Sequence, residues 1–252
     1  MPEITPSKYL VMAGWNHVPH LSDKMKRELL AATPSHLRAA RSQGIPSLGS
    51  GAIFPVDEAM IRVDPKPIPD HWVQLGGLDF GWDHPTAAAA LAWDRDADCI
   101  YVTKTYRQSE KPPVIHAAAV KPWGDWLPWA WPHDGNNDTA AGEALAKQYK
   151  AHGLRMLSEH ATHPAGGNSV EAGLMEMLDR METGRWKVFS TCDAWFEEFR
   201  LYHRKDGKVV KVLDDTLSAS RYAYMMRRFA TTKPQKRTVA AGFEPQNTAF
   251  GY

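Results

Sequence analysis

The stretch QLGGLDFGWDHPTAAAALAWDRDADCIYVTKTYR, residues 74–107, decides the fold. Its first seven residues (74–80) read as a strand that ends in a turn, GWDHP. Residues 86–93 are a short apolar run bounded by turns, which suits a buried strand. DRDAD (94–98) is a second turn. IYVTKTYR (100–107) alternates β-branched and aromatic residues, the types that pack on a pleated surface. Three consecutive strands joined by short turns make an antiparallel meander.

The pattern changes downstream. Residues 112–123 read as a helix with Ile115, Ala118 and Ala119 on one face. WAWP (129–132) is a short buried strand. Residues 139–152 form a helix, with Ala141, Leu145 and Tyr149 at helical spacing and Gly153 as the stop. Residues 154–157 make another strand. Residues 169–183 form an amphipathic helix with Val170, Leu174, Met177, Leu178 and Met181 on one side. A strand at 186–189, a helix at 193–203, a hairpin turn Lys205-Asp206-Gly207-Lys208 and a last helix over 214–229 follow. A meander followed by helices alternating with short strands is the element order of the RNase H-like α/β fold, a mixed sheet flanked by helices. Another mixed α/β sandwich is the alternative.

Upstream, SDKMKRELLAA (22–32) reads as a helix with Ser22 as N-cap. A second short helix is expected over 34–41, a loop at GIPSLGSG (44–51) and a short strand at 53–55. Pro65, Pro67 and Pro69 make a stiff extended segment. The expected division is an N-terminal linker region over 1–70, the RNase H-like α/β domain over 71–230 and a flexible tail over 231–252.

Composition excludes several classes. The chain has 252 residues, 43% hydrophobic and 23% charged, with net charge +1. That is enough to bury a real core. No apolar run nears the roughly 18 residues of a membrane helix, and no apolar signal segment follows Met1. The two cysteines, Cys99 and Cys192, make no disulfide framework, so a reducing cytoplasm is expected. Residues 200–237 hold eleven Lys and Arg against three acids. A basic segment beside an acidic remainder hints at a polyanionic partner, and equally fits a solvated helix face.

Three acidic positions stand out in this element order. Asp79 ends the first meander strand. Asp134 follows the fourth strand, in WPHDG. Asp214 and Asp215 open the last helix. Each alone fits a turn or a helix cap. In an RNase H-like sheet the first and fourth strands are neighbours, so Asp79 and Asp134 face one another and the last helix adds a third carboxylate. Like charges so close repel. Two Mg²⁺ or Mn²⁺ ions with oxygen ligands remove that cost and suit phosphodiester cleavage. Other residues read more plainly. Asp83 is a candidate to support the site and Asp138 a helix cap. His133 is expected to be structural, and His160 with His163 lacks a third ligand. Arg221 and Tyr222 are expected to pack inside. Lys205, Lys208 and Lys211 are candidates for contacts to a phosphate backbone. No GxxxxGK[ST] or GxGxxG motif is present.

The chain resembles the C-terminal nuclease part of the large terminase subunit of tailed bacteriophages. The resemblance runs from about residue 11 to 229. It rests on GLDFGWDHPTAAA (77–89), WPHDGNND (131–138) with GEALAKQYKAHGL (142–154), and EHATHPAGGNSVEAGLMEMLDRMETGRWKVF (159–189). WFEEFRLYHRKDGKVVK (195–211) and DDTLSASRYAYMM (214–226) complete it. The resemblance implies an RNase H-like endonuclease that cuts concatemeric double-stranded DNA during packaging. It implies two divalent metals on Asp79, Asp134 and Asp215, with Asp214 sharing the last position. It also implies a portal protein and small subunit as partners, and work in the host cytoplasm at the procapsid portal. Relatives often show DxxDA in the last helix, where this chain has Ser218 and Ala219. A complete large subunit also carries a P-loop motor, whose motif is absent here. The rival readings are a junction resolvase of the same fold and a non-catalytic docking module.

Overall fold

A computed structural model describes residues 13–34, 37–45, 51–133 and 139–234, with the backbone of 3–5 and 8–9. The two terminal strands, β1 (Glu3–Thr5) and β2 (Lys8–Tyr9), pair with each other. Helix α1 (Asp23–Ala32) begins where expected, the Ser22 side chain accepting the Met25 N–H. Helix α2 is Arg38–Gln43.

The meander consists of β4 (Val73–Asp79), β5 (Thr86–Asp94) and β6 (Cys99–Gln108). Both pairings are antiparallel, with Asp79 opposite Ala87 and Ala87 opposite Arg107. The sheet extends on both sides. Strand β7 (Pro128–Ala130) lies parallel to β4, and β8 (Arg155–Met156) lies parallel to β7. Strand β9 (Trp186–Phe189) lies parallel to β6 on the other side. The edge beyond it is β3 (Arg62–Val63), which directly follows helix α3 (Glu58–Ile61).

Two features correct the expected pattern. Residues 53–55 form no strand; Ala52 makes an isolated bridge to His203, and Ile53 and Phe54 pack into the core. The upstream strand is β3 instead, only two residues long. Thr231–Thr232 forms β12, which pairs with Val73 and Gln74 at the start of β4.

Alternation along the strands sorts the helices into two layers. Leu78, Ala88 and Ala90 face helices α4 (Pro113–Val120) and α5 (Thr139–Ala151), packing with Ala117, Val120 and Tyr149. The apolar face of α4 is not the expected one: His116, Ala117 and Val120 are buried, and Ile115 is exposed. Three helices cover the opposite face, α6 (Val170–Glu182), α7 (Asp193–Leu201) and α8 (Asp215–Met225). Strands β10 (Arg204–Lys205) and β11 (Lys208–Val209) form the hairpin between α7 and α8. Asp206 and Gly207 take positive φ at its turn, 51° and 74°, as a tight hairpin turn requires.

Helix α8 is buried along its whole length. Small residues make that possible. A Cβ on Gly77 would lie 2.0 Å from the Ala219 carbonyl oxygen, so α8 rests directly on the β4 backbone. Ala87 and Ala89 of β5 complete the contact with Ala219. The buried Ser220 hydroxyl of α8 is fully used: Oγ donates to the Thr216 carbonyl at 2.8 Å and accepts from Trp195 Nε1 at 3.1 Å. Among the described residues no helix is long and apolar enough to cross a membrane.

Candidate active site

Asp79 shares its strand face with Gly77, and Gly77 touches α8. The start of α8 brings Asp214 and Asp215 to the same place. All three line one cleft of about 490 Å³, together with His84, His133, Lys211 and Ser218. The turn after Asp79 is fixed by Thr86, whose hydroxyl donates to the Gly81 carbonyl at 2.8 Å and accepts the Gly81 N–H at 3.2 Å.

Asp214 occupies the N-cap position but makes no side-chain cap bond. That work falls to Glu198 of α7, a fully buried carboxylate. Its Oε2 accepts the Thr216 N–H at 2.7 Å, the Thr216 hydroxyl at 2.6 Å and the Leu217 N–H at 3.0 Å. Its Oε1 pairs with Arg107 Nη1 at 2.9 Å. Burial raises the Glu198 carboxyl above the ordinary glutamate range, with these bonds opposing the rise. The chain enters α8 through Leu213, whose φ of 54° is a strained conformation for a branched side chain.

Both acids at the helix start are held above the ordinary aspartate range. For Asp214 the cause is burial, reinforced by the Asp215 charge and opposed by Lys211 and Arg221. For Asp215 it is burial, opposed by Arg107, by a bond from its own backbone N–H and by His84. Among the described residues, Asp215 Oδ2 is buried with no hydrogen-bond partner. An orphaned carboxylate oxygen beside a second acid, in a cleft with no thiolate, is a donor set for a hard divalent cation. Among the described residues, no group of three His, Cys, Asp or Glu side chains forms a ready metal cage. Asp134 and Asp138 lie outside the described residues. The strand that leads to Asp134 does lie beside β4, Gly77 pairing with Ala130.

The remaining candidates separate. Asp83 is exposed and does not line the cleft. His133 lines it and packs edge-on against His160, centroids 4.2 Å apart. Burial and His133 hold His160 below the ordinary histidine range. His163 is engaged elsewhere, its Nε2 3.0 Å from the Ser169 carbonyl oxygen and its Nδ1 3.7 Å from Glu176. Of the three lysines, Lys211 lines the cleft, and Lys205 and Lys208 pair across the exposed hairpin. Arg204 ties that hairpin to α6 through two bonds to Glu171, at 2.6 and 2.5 Å. Glu198, Arg107 and His84 were not singled out by sequence reading. Arg221, expected to pack or hydrogen-bond inside, also lines the cleft. The i, i+3, i+4 stripe of residues 214, 218, 221, 222 and 225 carried that signal.

Residues 76–227 match the family model described as the Terminase RNaseH-like domain. The chain belongs to this family. The terminase match takes in the meander from Gly76 onward, the residues that line the cleft and all of α8. The large terminase subunit of Salmonella phage P22 is 47% identical over 233 residues, 90% of this chain and 47% of that protein. That of Enterobacteria phage LP7 is 49% identical over 210 residues, 82% of this chain and 44% of that protein. The chain thus spans about half the length of these terminase relatives. The solved P22 large terminase nuclease domain is 50% identical, with a TM-score of 0.71, covering 73% of this chain and 96% of that one. The large terminase nuclease domain of bacteriophage SPP1 with bound Mn shares the fold at 17% identity. Its TM-score is 0.51, over 68% of this chain and 99% of that one.

Proposed function

We propose that this chain is a divalent-metal-dependent DNA endonuclease that cuts concatemeric double-stranded DNA during phage genome packaging. The observation that carries the reading is the presence of Asp79, Asp214 and Asp215 in the lining of one cleft, with Asp215 Oδ2 buried and unpartnered among the described residues. Its terminase relatives, and a nuclease domain of the same fold with bound Mn, support it.

Asp79 and Asp215, with Asp214 sharing the last position and Asp134, which follows β7 in the sequence, would hold two Mg²⁺ or Mn²⁺ ions. When bound, such ions supply Lewis-acid activation of the attacking water and shield the charge that develops on the departing 3′ oxygen. The protein residues set the geometry. Glu198 fixes the first turn of α8, and so the direction of Asp215. Gly77 lets α8 approach Asp79. Ser218 stands where relatives often carry a further acid, so Asp214 supplies the second carboxylate of this helix. Lys205, Lys208 and Lys211 would contact backbone phosphates without reading sequence. A portal protein and a small terminase subunit are the proposed protein partners, at the procapsid portal in the host cytoplasm. The test is plasmid cleavage by the purified chain with EDTA, Mg²⁺ or Mn²⁺, beside Asp79→Asn. Metal-dependent nicking lost in the variant supports the reading, and metal-independent or absent cleavage by a folded chain contradicts it.

A further inference from the structure

Arg221 is a buried cation, 4% exposed, on the cleft side of α8. A buried guanidinium is ordinarily paired with a carboxylate. Here, among the described residues, Nη1 donates to the Met225 sulfur at 3.6 Å and the group lies over the Tyr222 ring at 4.6 Å. Its Nε has no partner among the described residues. Neither contact neutralises the charge. Asp214 feels that charge from a distance.

The side chain reaches from α8 to α6. A Cβ on Gly173 would fall 2.8 Å from Arg221 Cδ and 2.9 Å from Cγ, so the bare glycine makes the path. At that end the cleft is lined by Asn168, Ser169 and Val170, the start of α6. This 13-residue helix presents its first amides without intrahelical acceptors and the positive end of its dipole. The Ser169 hydroxyl accepts the Ala172 N–H at 3.3 Å, and Ser169 and Val170 themselves line the cleft. A planar cation beside a helix N-terminus is a setting for a phosphate.

We propose that Arg221 and the N-terminus of α6 together bind a DNA backbone phosphate next to the one that is cut. Arg221 follows Asp215 by six residues, about 9 Å along the helix axis. That offset suits a neighbouring phosphate rather than the one held at the acids. The proposal rests on the nuclease reading above and adds a substrate contact to it.

The test is duplex binding by the full chain over a salt series, read by fluorescence anisotropy in EDTA and in Ca²⁺. Arg221→Gln is expected to weaken binding about tenfold and to lower the slope of log affinity against log salt by about one. Arg221→Lys keeps the charge and is expected to keep the slope, with a smaller loss. Gly173→Ala leaves Arg221 in place chemically but pushes it off α6, and is expected to weaken binding as well. Unchanged affinity and slope in folded Arg221→Gln overturn the proposal. Should that variant not fold, wild-type affinity in both Arg221→Lys and Gly173→Ala overturns it. A wild-type chain that binds no duplex in either condition overturns the nuclease reading itself, a different result from loss of this one contact.

Discussion

Glu198 caps the helix that carries Asp215: its Oε2 accepts the Thr216 N–H at 2.7 Å, one residue after the aspartate. The cap comes from another helix, α7, and its far oxygen is tied to Arg107 of β6. Sheet, α7 and α8 are thus locked at the point where the acids enter the cleft. Asp214 and Asp215 are thereby left to face the cleft.

Removing that carboxylate should therefore cost both stability and geometry. Glu198→Ala leaves two amides and the Thr216 hydroxyl without their acceptor, and leaves Arg107 paired with Glu197 alone. The expected loss is about 3 kcal/mol, the scale for breaking a buried ion pair from one side. Glu198→Gln keeps an acceptor for the amides and should lose less. Urea denaturation of the two variants measures the difference; equal stability to wild type in Glu198→Ala contradicts the role.

The raised carboxyls of Asp214 and Asp215 make a signed prediction about pH. Their folded values lie above their unfolded ones. Their contribution to stability is complete below the unfolded aspartate range and is lost as pH rises through the folded values. At neutral pH they therefore burden the metal-free chain. Asp215→Asn should raise the metal-free Tm at pH 7, and this gain should shrink toward pH 4. Mn²⁺ should raise the wild-type Tm more at pH 7 than at pH 5, and should do little for the variant. Thermal melts at the three pH values check both signs.

Gly77→Ala tests the contact between helix and sheet. Its Cβ would fall 2.0 Å from the Ala219 carbonyl, a backbone atom that cannot rotate away. A loss of about 2 kcal/mol or more is expected from overpacking. Cleavage should fall further than stability explains, because α8 must move away from Asp79. Activity assayed well below the variant's Tm separates the two effects.

The hairpin lysines predict an electrostatic effect only. The double change Lys205→Ser with Lys208→Ser should lower duplex affinity and reduce the salt slope by up to about two. Tm should be nearly unchanged, since both side chains are exposed. An unchanged slope means the hairpin does not meet the backbone.

Most of the fold was legible because its signals are local. The β-branched run at 100–107, the alanines at 87–90 and the Ser22 cap each report their own conformation, and each element formed within a residue or two of its expected bounds. Asp79 and the Asp214–Asp215 pair were legible because they stand at the ends of such elements. What was not legible depends on distant parts of the chain. Two-residue strands such as Arg62–Val63 exist only because Val188 and Phe189 lie beside them. Ile115 looked like a core residue, but the tilt of α4 on the sheet buries His116 and Ala117 instead. Glu198 sits in an ordinary amphipathic helix, and nothing in its own neighbourhood tells that it caps another. Arg221 reads as a packing residue until Gly173, 48 positions earlier, is seen to clear its path.

The most direct test of the central claim is supercoiled plasmid cleavage by the purified chain in EDTA, Mg²⁺ and Mn²⁺, with Asp79→Asn and Asp215→Asn alongside. The expected result is nicking or linearisation only with metal. Each folded variant should lose it by roughly a hundredfold or more, the scale for removing a group that stabilises transition-state charge. Wild-type cleavage rates in either variant, or cleavage that persists in EDTA, would contradict the assignment of these aspartates to a metal-dependent nuclease centre.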